Sequence, residues 1–261
     1  MLPKSAGLSN GLAQRLIRWP VSTHAYTLRL LIMGRYASAF TKMTKPMNFK
    51  AAIFDMDGLL LDTERVCMRV FQQACQHLQV PFDQTTYLSI IGRNAAGIEQ
   101  ILRDFYGADY PAVHQAWRER YNAIVLHQAI PVKTGVIELL EWLKSNQIPI
   151  AVATSTRKEV AQVKLQLAQL DHYFDQVTTG CEVVHGKPAP DIYLLAAQRL
   201  GIAPEHCLAF EDSNNGVRAA VAANMMAYQI PDLTQPDANT LSLGHQVAPS
   251  LQQVLVVLKQ N

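Results

Sequence analysis

The stretch Lys50-Ala51-Ala52-Ile53-Phe54-Asp55-Met56-Asp57-Gly58 constrains the fold of this chain more than any other. A short apolar run bounded by a glycine reads as a buried strand of an α/β sheet. Such a strand gives a carboxylate no solvent until it ends, which places Asp55 and Asp57 at its C-terminal edge, where open α/β folds bind ligands. Two carboxylates one residue apart repel each other, and a divalent cation with a preference for oxygen relieves that repulsion. Taken alone, the pair reads equally as a strand-end turn with two solvated acids, so the choice depends on what the rest of the chain brings.

Three later segments bring complementary groups. Ile148-Pro149-Ile150-Ala151-Val152-Ala153-Thr154-Ser155 is a second apolar run, ending in hydroxyls. Gly186-Lys187-Pro188-Ala189-Pro190-Asp191 sets a lysine between glycine and proline. Cys207-Leu208-Ala209-Phe210-Glu211-Asp212-Ser213-Asn214-Asn215-Gly216 is a third run, ending in an acidic pair. In chain order the four segments supply carboxylates, a hydroxyl, an ammonium and carboxylates, three of them at strand ends and the lysine on a loop.

Between the first two strands the pattern is helical. Val66, Val70, Phe71, Ala74 and Leu78 recur at helical spacing behind Asp62 or Thr63 as the cap. Further helices are predicted over 85–91, 95–106 and 110–129, punctuated by Gly92, Gly107 and Pro111. No strand is predicted between Leu61 and Pro131, so this stretch reads as an inserted helical cap.

Beyond Pro131, strands and helices alternate. A helix over 135–146 leads to the strand ending at Thr154, and one carrying Val160, Val163, Leu167 and Leu170 leads to a short strand over 176–179. A helix carrying Ile192, Leu195, Ala196 and Leu200 follows, and then come the strand reaching Phe210, a helix over 213–223, a strand over 225–230 and a final helix over 251–258. Asn214 and Asn215 read as caps of the 213–223 helix, and Asn224 as a left-handed residue at its end. This alternation implies an α/β fold: a doubly wound, parallel, Rossmann-like sheet with an inserted helical cap. The expected domains are a non-core extension at 1–46, a core at 47–62 and 132–261, and the cap at 63–131.

Together the four segments match the four motifs of the haloacid dehalogenase-like hydrolase superfamily, which the chain resembles over about residues 47–261. Phe54-Asp55-Met56-Asp57-Gly58-Leu59-Leu60-Leu61-Asp62-Thr63-Glu64 is similar to its β-phosphoglucomutase-like and sugar-phosphatase branch. Phe210-Glu211-Asp212-Ser213 and His185-Gly186-Lys187-Pro188 also resemble the pseudouridine-5′-phosphatase group. The resemblance implies a Mg2+-dependent phosphatase that acts on a small phosphorylated metabolite, a sugar phosphate or a nucleoside monophosphate, through an aspartyl-phosphate. Asp55 is then the nucleophile, while Asp57 first protonates the leaving alkoxide and then activates water. Mg2+ sits on Asp55, Asp212 and the Asp57 backbone carbonyl, and Glu211 ligates it directly or through water. Thr154 and the Ser155 and Met56 backbone N–H groups hold phosphate beside Lys187. Arg93, in a loop that faces the active site in relatives, is the candidate for reading the leaving group, or is a solvated surface arginine.

The same branch contains mutases, which transfer the phosphoryl group to a second sugar hydroxyl. The histidine and lysine that serve this purpose in β-phosphoglucomutases fall at Cys67 and Ile91 here, so water is the expected acceptor. The alternatives are a β-phosphoglucomutase-like transferase or a non-catalytic binding protein on the same fold. A dehalogenase needs neither the metal nor the leaving-group acid that these residues provide.

Composition narrows the setting. A chain of 261 residues, 49% hydrophobic and 17% charged, buries a sizeable core and is not disordered. Its four cysteines form no Cys-x-x-Cys pair and its histidines no zinc-like cluster, which points to a reducing cytoplasm and to a carboxylate site for any metal. Residues 1–46 carry seven bases and no acid, leaving 16 bases against all 21 acids in the remainder. That leader reads as an extension outside the fold, a transit peptide or an early start, and a chain begun at Met47 is expected to fold. The acidic remainder argues against nucleic acid. Leu28 to Met33, interrupted by Arg29, is too short to span a bilayer. A monomer or weak dimer is expected.

Overall fold

The computed structural model describes residues 49–91 and 95–260; the basic leader and Arg93 lie outside the described residues. Six strands form one sheet in the order β3-β2-β1-β4-β5-β6: β1 (Ala51–Phe54), β2 (Ile150–Thr154), β3 (Gln176–Thr179), β4 (Cys207–Glu211), β5 (Met226–Gln229) and β6 (Gln246–Val247). Every pairing is parallel. Parallel sheets are covered on both faces, which is why β1, β2 and β4 have every residue buried and are apolar throughout except for Thr154 and Glu211 at the ends of β2 and β4.

Alternation along the strands divides the core in two. Ala51, Ile53, Ala151, Ala153 and Ala209 face α7 (Asp191–Leu200) and α8 (Asn214–Ala222), whose own buried residues include Ala196, Ala197, Ala219 and Ala220. Small residues on both sides let helix and sheet approach closely. The opposite face carries Phe54, Val152, Leu208 and Phe210 against α5 (Val136–Ser145) and α10 (Leu251–Leu258). There Phe54 stacks on Phe210 with ring centroids 4.5 Å apart. Each such side chain stabilises the fold by about 1.5–3 kcal/mol relative to exposure.

The helical stretch consists of α1 (Thr63–His77), α2 (Gln84–Ile90), α3 (Ala95–Tyr106) and α4 (Tyr110–Val125), around a separate cluster of Phe71, Tyr87, Leu102, Tyr106 and Val113. It leaves and rejoins the sheet layer at neighbouring points. The Asp62 N–H donates to the Pro131 carbonyl at 2.9 Å and the Lys133 N–H to the Leu60 carbonyl at 3.0 Å. One carboxylate ties both crossings down: Asp232 accepts from Arg65 and from Lys133, each at 2.5 Å. Among the described residues no helix is long and apolar enough to cross a membrane.

Several local details differ from the sequence reading. Asp62 stands at the α1 N-cap position but its carboxylate accepts from Arg65, at 2.8 Å, rather than from the helix backbone. Helix α8 is capped by Ser213, whose hydroxyl accepts from the Gly216 N–H, while Asn214 reaches to Gln229 and the Gln235 carbonyl. Helix α4 ends at Val125, and β6 and the short α9 (Ala238–Leu241) have no counterpart in the apolar pattern. Helix α6 (Lys158–Leu167) buries Ala161, Lys164 and Leu165, a face offset from Val160, Val163 and Leu167. Asn224 does adopt the left-handed conformation, with φ of 64°.

Candidate active site

Strand register brings the polar residues to one edge. Phe54 pairs with Phe210, so Asp55 emerges beside Glu211; Phe54 also pairs with Val152, which carries Thr154 over the same edge. The connections reverse direction on either side of β1, and such a switch point opens the crevice in which α/β sheets bind ligands.

Lys187 joins these strand ends from the loop before α7. Its ammonium donates to Asp55 Oδ1 and Glu211 Oε1, each at 2.5 Å, and to the Ala153 carbonyl at 2.9 Å, so all three N–H donors are used. Glu211 is fully enclosed. Its Oε1 also accepts from the Tyr193 hydroxyl at 2.7 Å, and its Oε2 accepts from the Asp212 N–H, the Ser213 N–H and the Ser213 hydroxyl.

The glycines that follow the two acidic segments are required by this packing. Gly58 has φ of +86°, and a Cβ there would run into the Asp212 carboxylate. A Cβ on Gly216 would overlap the Glu211 carboxylate.

Burial pushes Asp55 up to about 8, with Glu211 and Asp57 adding to the shift against the opposing charge of Lys187. Asp212 is likewise held well above the usual carboxylate range by burial and then by Glu211 and Asp55. Lys187 is held above the ordinary lysine value, because Asp55 and Glu211 outweigh its burial.

Asp57 has different surroundings. Its Oδ1 accepts from Lys164 at 2.7 Å and its Oδ2 from the Thr156 hydroxyl at 2.6 Å. Burial, which alone would raise Asp57, is outweighed by the Lys164 charge and these hydrogen bonds, so it lies below the usual carboxylate range. Thr154 is buried, with its hydroxyl 3.5 Å from Asp57 Oδ2; Ser155, the next residue, is exposed. Glu64, on the first turn of α1, is pushed up to about 7 by burial and by Asp57 and Asp232.

Asp55, Glu211 and Asp212 each offer an oxygen within 4.8 Å of the others. An all-oxygen set of this kind fits a hard divalent cation such as Mg2+. The donors also fit in charge, since Lys187 pairs with Asp55 and Glu211 and leaves Asp212 beside both acids without that cation. Glu211 already accepts five hydrogen bonds, so Asp55 and Asp212 have the lone pairs to spare.

The structure thus gathers Asp55, Asp57, Thr154, Lys187, Glu211 and Asp212 at one sheet edge. Sequence reasoning missed Thr156, Tyr193 and Lys164. Lys164 did leave a trace, a lysine on the buried face of an amphipathic helix, but that face could be placed only once the helix was seen against its neighbours.

Residues 49–224 match the sequence family of haloacid dehalogenase-like hydrolases. The chain is 32% identical over 222 residues to a phosphorylated carbohydrates phosphatase of Thermotoga maritima, covering 81% of this chain and 99% of that protein. It is 34% identical over 185 residues to a fructose-1-phosphate phosphatase of Escherichia coli, covering 70% and 97%. Among solved structures, a hydrolase of the same family from Deinococcus radiodurans with bound phosphate and sodium superposes with a TM-score of 0.70 at 27% identity, covering 82% of this chain and 96% of that one.

Proposed function

The chain belongs to the haloacid dehalogenase-like hydrolase family and is a phosphoric monoester hydrolase, and on that premise we propose that it is a Mg2+-dependent phosphatase of small phosphorylated metabolites, of the sugar-phosphate or nucleoside-monophosphate type, that works through an aspartyl-phosphate on Asp55. One observation carries the reading: Asp55, at the end of β1, shares one sheet edge with Lys187 and the acidic pair at the end of β4, while Asp57 is held outside that cluster. Asp55 lies among acids beside Lys187, and Asp57 is engaged by Lys164 and Thr156. Asp55 thus belongs to the carboxylate cluster that a cation would fill and Asp57 stands outside it, which separates a nucleophile from an acid–base group.

In the first step the Asp55 carboxylate attacks phosphorus as the bond to the leaving oxygen breaks, and Asp57, which must first take up a proton from solvent against the pull of Lys164 and Thr156, passes that proton to the oxygen. In the second step Asp57 takes a proton from water attacking the aspartyl-phosphate, which releases phosphate and restores Asp55. Lys187 and the Thr154 hydroxyl stabilise the phosphoryl oxygens. Asp55, Asp212 and the Asp57 carbonyl would hold Mg2+, which when bound cancels the charge that keeps an anionic carboxylate from an anionic phosphate. Glu211 anchors Lys187 and the Asp212 turn. Residues 63–131 act as the cap that selects the leaving group, since the sheet edge addresses the phosphate alone. The four free thiols support a cytoplasmic setting.

Hydrolysis is favoured over mutase chemistry by Cys67. Burial, followed by the neighbouring Glu64, pushes its thiol up to about 12, so it cannot shuttle a proton as a histidine would. The test is phosphate release from a panel of sugar phosphates and nucleoside monophosphates, with MgCl2 and with EDTA. Turnover should require Mg2+ and fall at least ~10³-fold in Asp55→Asn. Turnover undiminished by that substitution would exclude Asp55 as nucleophile.

A further inference from the structure

Lys164 belongs to none of the segments that carry the chemistry above, yet it is among the least exposed charged side chains in the described structure, 2% exposed. Removing an ammonium from water costs several kcal/mol unless its partners replace the lost solvation. Here two partners do so, from different parts of the chain. The ammonium donates to Asp57 Oδ1 at 2.7 Å and to the Tyr121 hydroxyl at 3.2 Å, and lies 5.4 Å from the Tyr121 ring centroid. Tyr121 is on α4 of the helical insert, whereas α6, which carries Lys164, flanks the sheet. Lys164 therefore links the loop after β1 to the insert at a place where α4 and α6 pack together.

This link is specific in its geometry. Asp57 has two oxygens, and Lys164 and Thr156 engage one each. Thr156 comes from the loop after β2 and holds Asp57 from the sheet side. Lys164, through Tyr121, connects the carboxylate to the α4 helix of the insert. A carboxylate that must meet a leaving oxygen performs that task only within a few tenths of an ångström of the productive position, so whatever fixes its height and rotation sets the rate of proton transfer.

We propose that Lys164 is a positioning residue for leaving-group protonation: its buried ammonium holds Asp57 at the level of the scissile oxygen and, through Tyr121, ties that placement to the seating of the helical insert. The inference rests on Asp57 as the acid–base group. Lys164 itself touches neither phosphate nor nucleophile.

The test compares two substrates in one variant. Fructose 1-phosphate leaves as an alkoxide and needs a proton; p-nitrophenyl phosphate leaves as a stable phenolate and does not. The ratio kcat/KM reports the first step, and the ratio of the two substrates within one preparation is independent of how much of the variant is folded. In Lys164→Met, fructose 1-phosphate turnover should fall about 10²-fold and p-nitrophenyl phosphate turnover only a few-fold, the pattern of a lost general acid. Lys164→Arg should recover part of the loss, and Tyr121→Phe should show the same selectivity on a smaller scale. Asp57→Asn provides the reference. If it discriminates between the substrates and Lys164→Met does not, Lys164 is structural support and this inference is overturned alone. If Asp57→Asn does not discriminate either, the acid–base reading falls and takes the inference with it.

Discussion

Replacing Lys187 with methionine isolates what its charge contributes, because the side chain keeps its length and apolar stem. The substitution removes hydrogen bonds to Asp55, Glu211 and the Ala153 carbonyl from a side chain that is 7% exposed. Deleting one member of a buried ion pair costs about 3–5 kcal/mol, because the partner stays behind uncompensated. Glu211 keeps Tyr193 and its three donors on Oε2, and Asp55 can take up a proton, which favours the lower end, about 3 kcal/mol. For a cooperative unit of this size that is a fall in Tm of about 6–12 °C. The cost should depend on pH. Asp55 is raised above its unfolded value to about 8, so its contribution is fully present below the unfolded pKa and is lost as pH rises through the folded one. Lys187 opposes that rise, and without it the loss on going from low to high pH is steeper. Melting both proteins in EDTA, followed by circular dichroism at mildly acidic pH and again near the Asp55 value, should show a gap that widens with pH. A variant within ~2 °C of the native protein at the higher pH, or an equal gap at both, would refute the argument.

Gly58→Ala should cost about 1–2 kcal/mol from the left-handed backbone alone. Because its Cβ would push on the Asp212 carboxylate, Mg2+ affinity by titration calorimetry should also drop at least ~10-fold. In the metal-free native protein, stability should decline from mildly acidic pH toward about 8, because Asp55 and Glu64 are both raised and both must ionise while enclosed. Mg2+ at about a hundred times its Kd should restore about 2.7 kcal/mol, read as a rise in Tm at constant pH. Asp232→Asn removes the charge shared by Arg65 and Lys133 at the two crossings into the insert; urea denaturation should show a loss of about 1–3 kcal/mol.

The strands that carry the site were legible in the sequence because a parallel sheet buried on both faces demands an unbroken apolar run, and a carboxylate can follow only where the run stops. That one requirement placed Asp55, Thr154, Glu211 and Asp212 at strand ends before any partner was known. Lys187 was legible for a different reason, its restraint between glycine and proline. The sequence alone did not determine which group each carboxylate would face. Glu211 proved to be saturated by Lys187, Tyr193 and its own turn, and Asp57 proved to be held by Lys164, 107 positions away. The periodicity of α6 suggested one buried face and packing selected another, turning a lysine inward. Local pattern records how a segment meets solvent, since burial acts residue by residue. The partner of a buried charge depends on how separate elements are laid against one another, and it is decided only when the sheet, its helices and the insert have packed.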